Sequence, residues 1–186
     1  MNGNPRLTKK TIFLLMGGVL VAAFLGVSAG SYFIQWNSGR KRDAQVKDRI
    51  LLKVGQTFPR GNFVDVEGKS YLERDLGGKK TILIFFTTEC HHCETALQKW
   101  ADFYPNRNSE YEVVAISYEP VDKLRSYKTE KNLSFPVFND SVGKFTGTYK
   151  IEAYPTIIGI NEHREIAFIE IGNNLQKSVE DYVRGL

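Results

Sequence analysis

Lys80-Thr81-Ile82-Leu83-Ile84-Phe85-Phe86-Thr87-Thr88-Glu89-Cys90-His91-His92-Cys93-Glu94 is the stretch on which the reading of this chain turns. Residues 80–87 form a continuous run of β-branched, aliphatic and aromatic side chains. Such a run suits a strand buried on both faces rather than an alternating surface strand. Residues 93–104 follow with helical spacing, placing Ala96, Leu97, Trp100, Ala101, Phe103 and Tyr104 toward a core, and Pro105 stops the helix. Cys90 and Cys93, the only two cysteines of the chain, therefore fall where a buried strand hands over to a helix.

That position has chemical consequences. Three-residue spacing at a helix start can bring two sulfurs within bridging distance. Unpaired N–H groups and the helix dipole favour a thiolate on the first cysteine. The second lies one turn deeper, where it can resolve a mixed disulfide. His91 and His92, if protonated, add positive charge beside the thiolate, whereas Glu89 adds a negative one. Two other readings compete. Half of a zinc site would require a second Cys/His pair, and only the lone His163 remains. A purely structural bridge across so small a loop would stabilise little. The strand–C-x-x-C–helix context favours redox chemistry, with no metal ligand set and no cofactor beyond the Cys90–Cys93 pair.

Outward from this centre the chain alternates strand and helix patterns. Strands are expected at residues 62–66, 112–118, 135–138, 156–160 and 165–171, and helices at 121–131, 141–149 and 175–183. A polar turn, Asn161-Glu162-His163-Arg164, joins the last two strands as a hairpin. The order strand–helix–strand, then hairpin and helix, predicts an α/β fold with a central mixed sheet flanked by helices.

The N-terminal part is different. The whole chain has 186 residues and a net charge of +4, from 25 Lys+Arg against 21 Asp+Glu. Its pI of about 9.0 invites a nucleic-acid reading. Arg6, Lys9 and Lys10 are the only charges before residue 40, so the remainder keeps 22 basic against 21 acidic residues. No broad basic face is left, and nucleic-acid binding is not expected. High aromatic content, with 12 Phe and 9 Tyr, excludes a disordered chain, and a mean hydropathy of −0.30 excludes a polytopic membrane protein. Residues 11–36 carry no charge and are long enough to cross a bilayer. Tyr32, Phe33 and Trp36 stand at the far end, where aromatic side chains favour the interface.

Val27-Ser28-Ala29 also resembles a signal-peptide cleavage site. The apolar run continues past it, however, and Arg40-Lys41-Arg42 provides a stop, so an uncleaved anchor is expected. The domain plan is a basic segment 1–10, a transmembrane anchor 11–36, a charged stalk 37–53 and a folded domain 54–186. This predicts a single-pass protein of the cell membrane, held by lipid contact with residues 11–36, with its domain on the extracytoplasmic side.

Several short motifs in order extend the reading: Val54-Gly55-Gln56-Thr57-Phe58-Pro59, Asp65-Val66-Glu67-Gly68-Lys69, the Cys90–Cys93 segment, Phe135-Pro136-Val137 with Asp140, and Tyr149-Lys150-Ile151-Glu152-Ala153-Tyr154-Pro155-Thr156. On these the chain resembles the thioredoxin superfamily, within it the membrane-anchored TlpA/ResA-type thiol-disulfide oxidoreductases, from Val54 to about Val183. The resemblance implies a thioredoxin-like fold and catalytic roles for Cys90, Cys93 and a cis Pro155. It implies substrate binding at Tyr154, whose backbone can pair with a substrate strand, and at Thr156. It also implies exported protein thiols or disulfides as substrates, and a membrane or extracytoplasmic electron donor or acceptor.

The chain departs from the pattern at defined places. Glu89 replaces a frequent Trp, Ile84 stands where thioredoxins carry a buried acid, and Ala96 where some TlpA/ResA-type proteins carry one. His92 matches the position before the second cysteine in DsbA-type oxidases. Two rivals share some of these features. A thiol peroxidase would need a proline where Leu83 stands, although Thr87 fits its pattern. A copper-delivery module would combine Cys90 and Cys93 with a histidine, and only His163 is distant in sequence.

Overall fold

The computed structural model of the chain describes residues 24–28, 30–32, 45–61, 63–71, 78–106, 110–140, 143–172 and 177–186. Two compact units emerge, Met1–Ala44 and Gln45–Leu186. In the first, residues 24–28 and 30–32 are helical, with Phe24, Leu25, Val27 and Tyr32 exposed. Among the described residues no helix is long and apolar enough to cross a membrane. The rest of the expected anchor, residues 11–23, 29 and 33–36, lies outside the described residues, as do residues 1–10 and 37–44.

The second unit is built on β3 (Lys80–Phe85), whose residues from Thr81 onward are all buried. It pairs in parallel with β4 (Tyr111–Ser117) and antiparallel with β6 (Thr156–Ile160), so that Ile84 faces Ala115 on one side and Ile157 on the other. Beyond β4 lie β5 (Val137–Asn139), β1 (Phe63–Asp65) and β2 (Ser70–Tyr71); beyond β6 lies β7 (Ile166–Ile171). Among the described residues seven strands form one sheet, in the order β2-β1-β5-β4-β3-β6-β7. Besides helical residues 45–49, the described residues of this unit form α1 (His91–Phe103), α2 (Val121–Glu130), α3 (Lys144–Thr148) and α4 (Val179–Arg184).

The apolar run of β3 serves two cores because side chains alternate across a strand. Ile82 and Ile84, with Phe86 just beyond, pack with Leu97 and Trp100 of α1, Leu124 of α2 and Tyr182 of α4. Leu83 and Phe85 face the opposite way, onto Ile50, Leu52, Phe58, Phe63 and Phe145. Each such buried side chain stabilises the fold by about 1.5–3 kcal/mol relative to exposure. This is the mixed sheet with flanking helices expected of a thioredoxin-like fold.

Differences from the expected pattern have local causes. The compact unit begins at Gln45, before the Val54 at which the domain is expected to start. Residues 45–49 are helical, Ile50 and Leu52 are buried, and the Leu51 N–H donates to the Tyr149 carbonyl at 3.0 Å. The end of the expected stalk thus closes one core. α3 is shorter than predicted because Asp140 fixes its start, its carboxylate accepting from the Phe145 and Thr146 N–H groups. α4 begins at Val179 because Ser178 and Asp181 form a reciprocal capping box; residues 173–176 lie outside the described residues. β2 has no clear sequence signal, since only two residues follow the Gly68 turn, where φ is +86°.

Candidate active site

α1 starts two residues earlier than its apolar spacing suggests because Cys90 caps it. Cys90 has extended backbone angles (φ −91°, ψ 105°), and its Sγ accepts from the Cys93 N–H at 3.2 Å. Its carbonyl accepts from the N–H groups of Cys93 and Glu94 at 2.9 and 3.1 Å. Cys90 and Cys93 form a disulfide with their Cα atoms 5.1 Å apart. Cys90 is half-buried, whereas Cys93 is wholly buried among Ile84, Phe86 and Leu97. One sulfur is thus accessible at a helix N-terminus, where N–H groups stabilise a thiolate, and the other is sheltered.

The loop before β6 supplies the opposite wall. The Tyr154–Pro155 peptide bond is cis, and Pro155 is buried. The Tyr154 carbonyl oxygen lies 3.6 Å from Cys90 Sγ. Its hydroxyl donates to the Ile151 carbonyl at 3.0 Å, and burial pushes that hydroxyl's pKa up to about 12. Thr156 is buried, and its hydroxyl donates to the Ala153 carbonyl at 2.7 Å. Its side chain holds the loop rather than facing outward.

His91 and His92 are exposed on the first turn of α1, their ring centroids 6.1 Å apart. Glu89 is also exposed, and its carboxylate accepts from Lys123 Nζ of α2 at 3.0 Å. The same ammonium lies 2.7 Å from Glu119, and bonds to both carboxylates push the Lys123 pKa up. The negative charge beside Cys90 is therefore matched by a lysine from another element.

Glu119 belongs to the same site although no sequence motif marks it. It follows β4, is nearly buried, and accepts from the Thr88 N–H at 2.7 Å and the Thr88 hydroxyl at 2.9 Å. Burial by itself raises its pKa, but the bonds from Lys123 and Thr88 together bring it below the ordinary carboxylate value. Glu119 thus ties down the loop that carries Cys90. The signal that finds it is topological: the carboxyl ends of adjacent parallel strands converge on one site. β3 delivers Thr88 and Cys90 there, and β4 delivers Glu119.

Ile84 and Ala96 stand where relatives can carry an acid; Ile84 belongs to the apolar core around Cys93, and Ala96 is buried. The Tyr127 hydroxyl is buried with no hydrogen-bond partner among the described residues, and burial pushes its pKa up. Its ring packs against Phe86 at 5.7 Å. Among the described residues no group of three His, Cys, Asp or Glu could hold a metal ion. His163 lies past the far end of β6 from Pro155, about 16 Å of strand away, so it does not join the two sulfurs. Leu83 is buried inside β3, paired with Val114 and Ile158, and leaves no loop there for a peroxidatic proline.

Comparison with known proteins agrees with this geometry. The AhpC/TSA family pattern matches residues 54–169. A thiol-disulfide oxidoreductase ResA from Halalkalibacterium halodurans is 30% identical over 138 residues, covering 73% of this chain and 78% of that protein. A ResA from Bacillus thuringiensis is 27% identical over 139 residues, covering 74% of this chain and 80% of that protein. The crystal structure of StoA from Bacillus subtilis superposes with a TM-score of 0.57 at 25% identity, covering 71% of this chain and 97% of that one.

Proposed function

The chain belongs to the AhpC/TSA family as a TlpA/ResA-like member of the thioredoxin superfamily, and on that premise we propose that it is a membrane-anchored thiol-disulfide oxidoreductase whose domain works outside the cytoplasm. The observation that carries the redox reading is the pairing of a half-exposed Cys90 at a helix N-terminus with a buried Cys93. An oxidoreductase of this kind acts on thiols or disulfides. In the reducing direction, the Cys90 thiolate attacks a substrate disulfide. The substrate S–S bond breaks, one substrate thiolate leaves, and a Cys90–substrate disulfide forms. The Cys93 thiolate then attacks Cys90 Sγ, releasing the second substrate thiolate and closing the Cys90–Cys93 bond. Two electrons pass from the enzyme to the substrate. In the oxidising direction each step reverses.

The protein groups divide this work. The N–H of Cys93, 3.2 Å from Cys90 Sγ, stabilises negative charge on the attacking or leaving sulfur. Pro155 and the Tyr154 carbonyl bound the approach to Cys90 and offer backbone to an extended substrate strand. His91 and His92 add positive charge near the thiolate when protonated, and Lys123 balances Glu89 and Glu119.

Anchoring and an extracytoplasmic domain are supported by the uncharged residues 11–36 and their basic flanks. Exported protein thiols or disulfides, with a membrane or extracytoplasmic electron partner, fit that location. The test is catalytic exchange with a model disulfide by the purified full chain. Activity that is lost in both Cys90→Ser and Cys93→Ser supports the reading; unchanged turnover in Cys90→Ser refutes it.

A further inference from the structure

Most large apolar side chains of the folded unit are covered, but Tyr118 is not: it is 45% exposed. It stands between β4 and α2, and its ring centroid is 6.1 Å from that of Tyr154 with the planes tilted by 46°. Tyr154 in turn places its carbonyl oxygen 3.6 Å from Cys90 Sγ. An exposed ring, Tyr118, thus packs on the partly buried Tyr154, whose backbone carbonyl lies beside the accessible sulfur. Among the described residues, the other exposed large apolar side chains of this unit, Leu51 and Val54, precede β1.

The pair is held in place before any ligand arrives. Ser117, on one side of Tyr118, accepts the Asp140 N–H on its carbonyl at 2.8 Å. Glu119, on the other, accepts the Asn139 side-chain amide on its carbonyl at 2.7 Å and the Thr88 N–H on its carboxylate. The Tyr154 ring is fixed by its bond to Ile151. Two rings whose backbones are pinned lose little freedom on binding, which is how exposed tyrosines contribute affinity at low entropic cost.

We propose that Tyr118 and Tyr154 form an aromatic shelf that binds an apolar, preferentially aromatic, side chain flanking the cysteine of an extended protein substrate. The proposal rests on the thiol–disulfide reading above. The occupant follows from position. A substrate cysteine bonded to Cys90 lies beside the Tyr154 backbone, whose ring is 6.1 Å from that of Tyr118, and two residues of extended chain span about 6.6 Å. Side chains two apart along a strand share one face. The residue two positions from the substrate cysteine therefore reaches the shelf. Ring pairs at 4.5–7 Å give about two- to tenfold discrimination over an aliphatic or small side chain.

The test uses two disulfide-linked peptides, identical except for Phe or Ala two residues from the cysteine, with the reduced full chain as reductant. The readout is the ratio of kcat/KM for the Phe and Ala peptides on the same enzyme, so a general loss of activity cancels. The expected ratio is about two to ten for the natural chain, the same for Tyr118→Phe, and about one for Tyr118→Ala. A ratio of one for the natural chain, or a ratio that survives in Tyr118→Ala, overturns the shelf. Exchange with both peptides that persists in Cys90→Ser overturns the thiol–disulfide reading itself, and the shelf with it.

Discussion

Replacing Glu119 should loosen the loop that carries Cys90, and the structure fixes the size of the effect. Its carboxylate accepts two bonds from Thr88, at 2.7 and 2.9 Å, and one from Lys123 at 2.7 Å. In Glu119→Ala the Thr88 N–H and hydroxyl lose their acceptor in a part-buried place. Leaving such groups unpaired costs about 1–3 kcal/mol each at full burial. Lys123 is 43% exposed and keeps water and Glu89 as partners, so it adds little. A total of about 2–3 kcal/mol is expected for Ala, and about 1 kcal/mol for Gln, which keeps a carbonyl acceptor. In urea unfolding of oxidised residues 45–186, with an m-value of about 1–3 kcal/mol/M, Glu119→Ala should lower the midpoint by roughly 1–2 M.

The pH dependence gives a second reading of the same bond set. The folded Glu119 carboxyl sits below its ordinary value. Its contribution is therefore complete above the unfolded value of about 4.3 and is lost as pH falls through the lower folded value. The natural chain should lose stability on acidification below pH 4.3 more steeply than Glu119→Gln. A Glu119→Ala midpoint within about 0.3 M of the natural one would refute the argument that this carboxylate holds the loop.

Three further outcomes are expected. Trp100→Ala removes a buried ring that meets Phe103 edge-on at 5.9 Å and a tilted Tyr182 at 5.8 Å, and should cost about 3–5 kcal/mol in the same urea assay. Ser178→Ala breaks the capping box of α4 and should cost about 1 kcal/mol, with faster amide exchange confined to α4. The full chain should remain with membranes through a high-salt wash and be released by detergent. After reduction in intact cells it should react at its cysteines with a membrane-impermeant maleimide; protection from that reagent would place the domain on the inner side.

What the sequence disclosed depends on how far each feature reaches along the chain. β3 and α1 were legible because one local run carries each: all residues of β3 after Lys80 are buried, and the buried positions of α1 repeat at helical spacing. Cys90 and Cys93 were legible because their chemistry lies within four residues. Glu119 was not, because it meets Thr88 across 31 positions and only the parallel pairing of β3 with β4 brings them together. Tyr118 was hidden for the same reason, 36 residues before the Tyr154 that it meets. Residues 45–53 read as a stalk because charge masks Ile50 and Leu52, whose burial is decided by Phe58, Phe85 and Phe145 elsewhere. Thr156 follows the cis Pro155, and strand alternation and the bond to Ala153 turn its side chain inward.

The central claim is that Cys90 is the sulfur that meets the substrate and Cys93 the one that releases it. Mass analysis of Cys93→Ser after incubation with a disulfide-bonded peptide tests this most directly. The account predicts a stable mixed disulfide at Cys90, formed at close to the natural rate and not turned over. No adduct at Cys90, or continued turnover in Cys90→Ser, would contradict it.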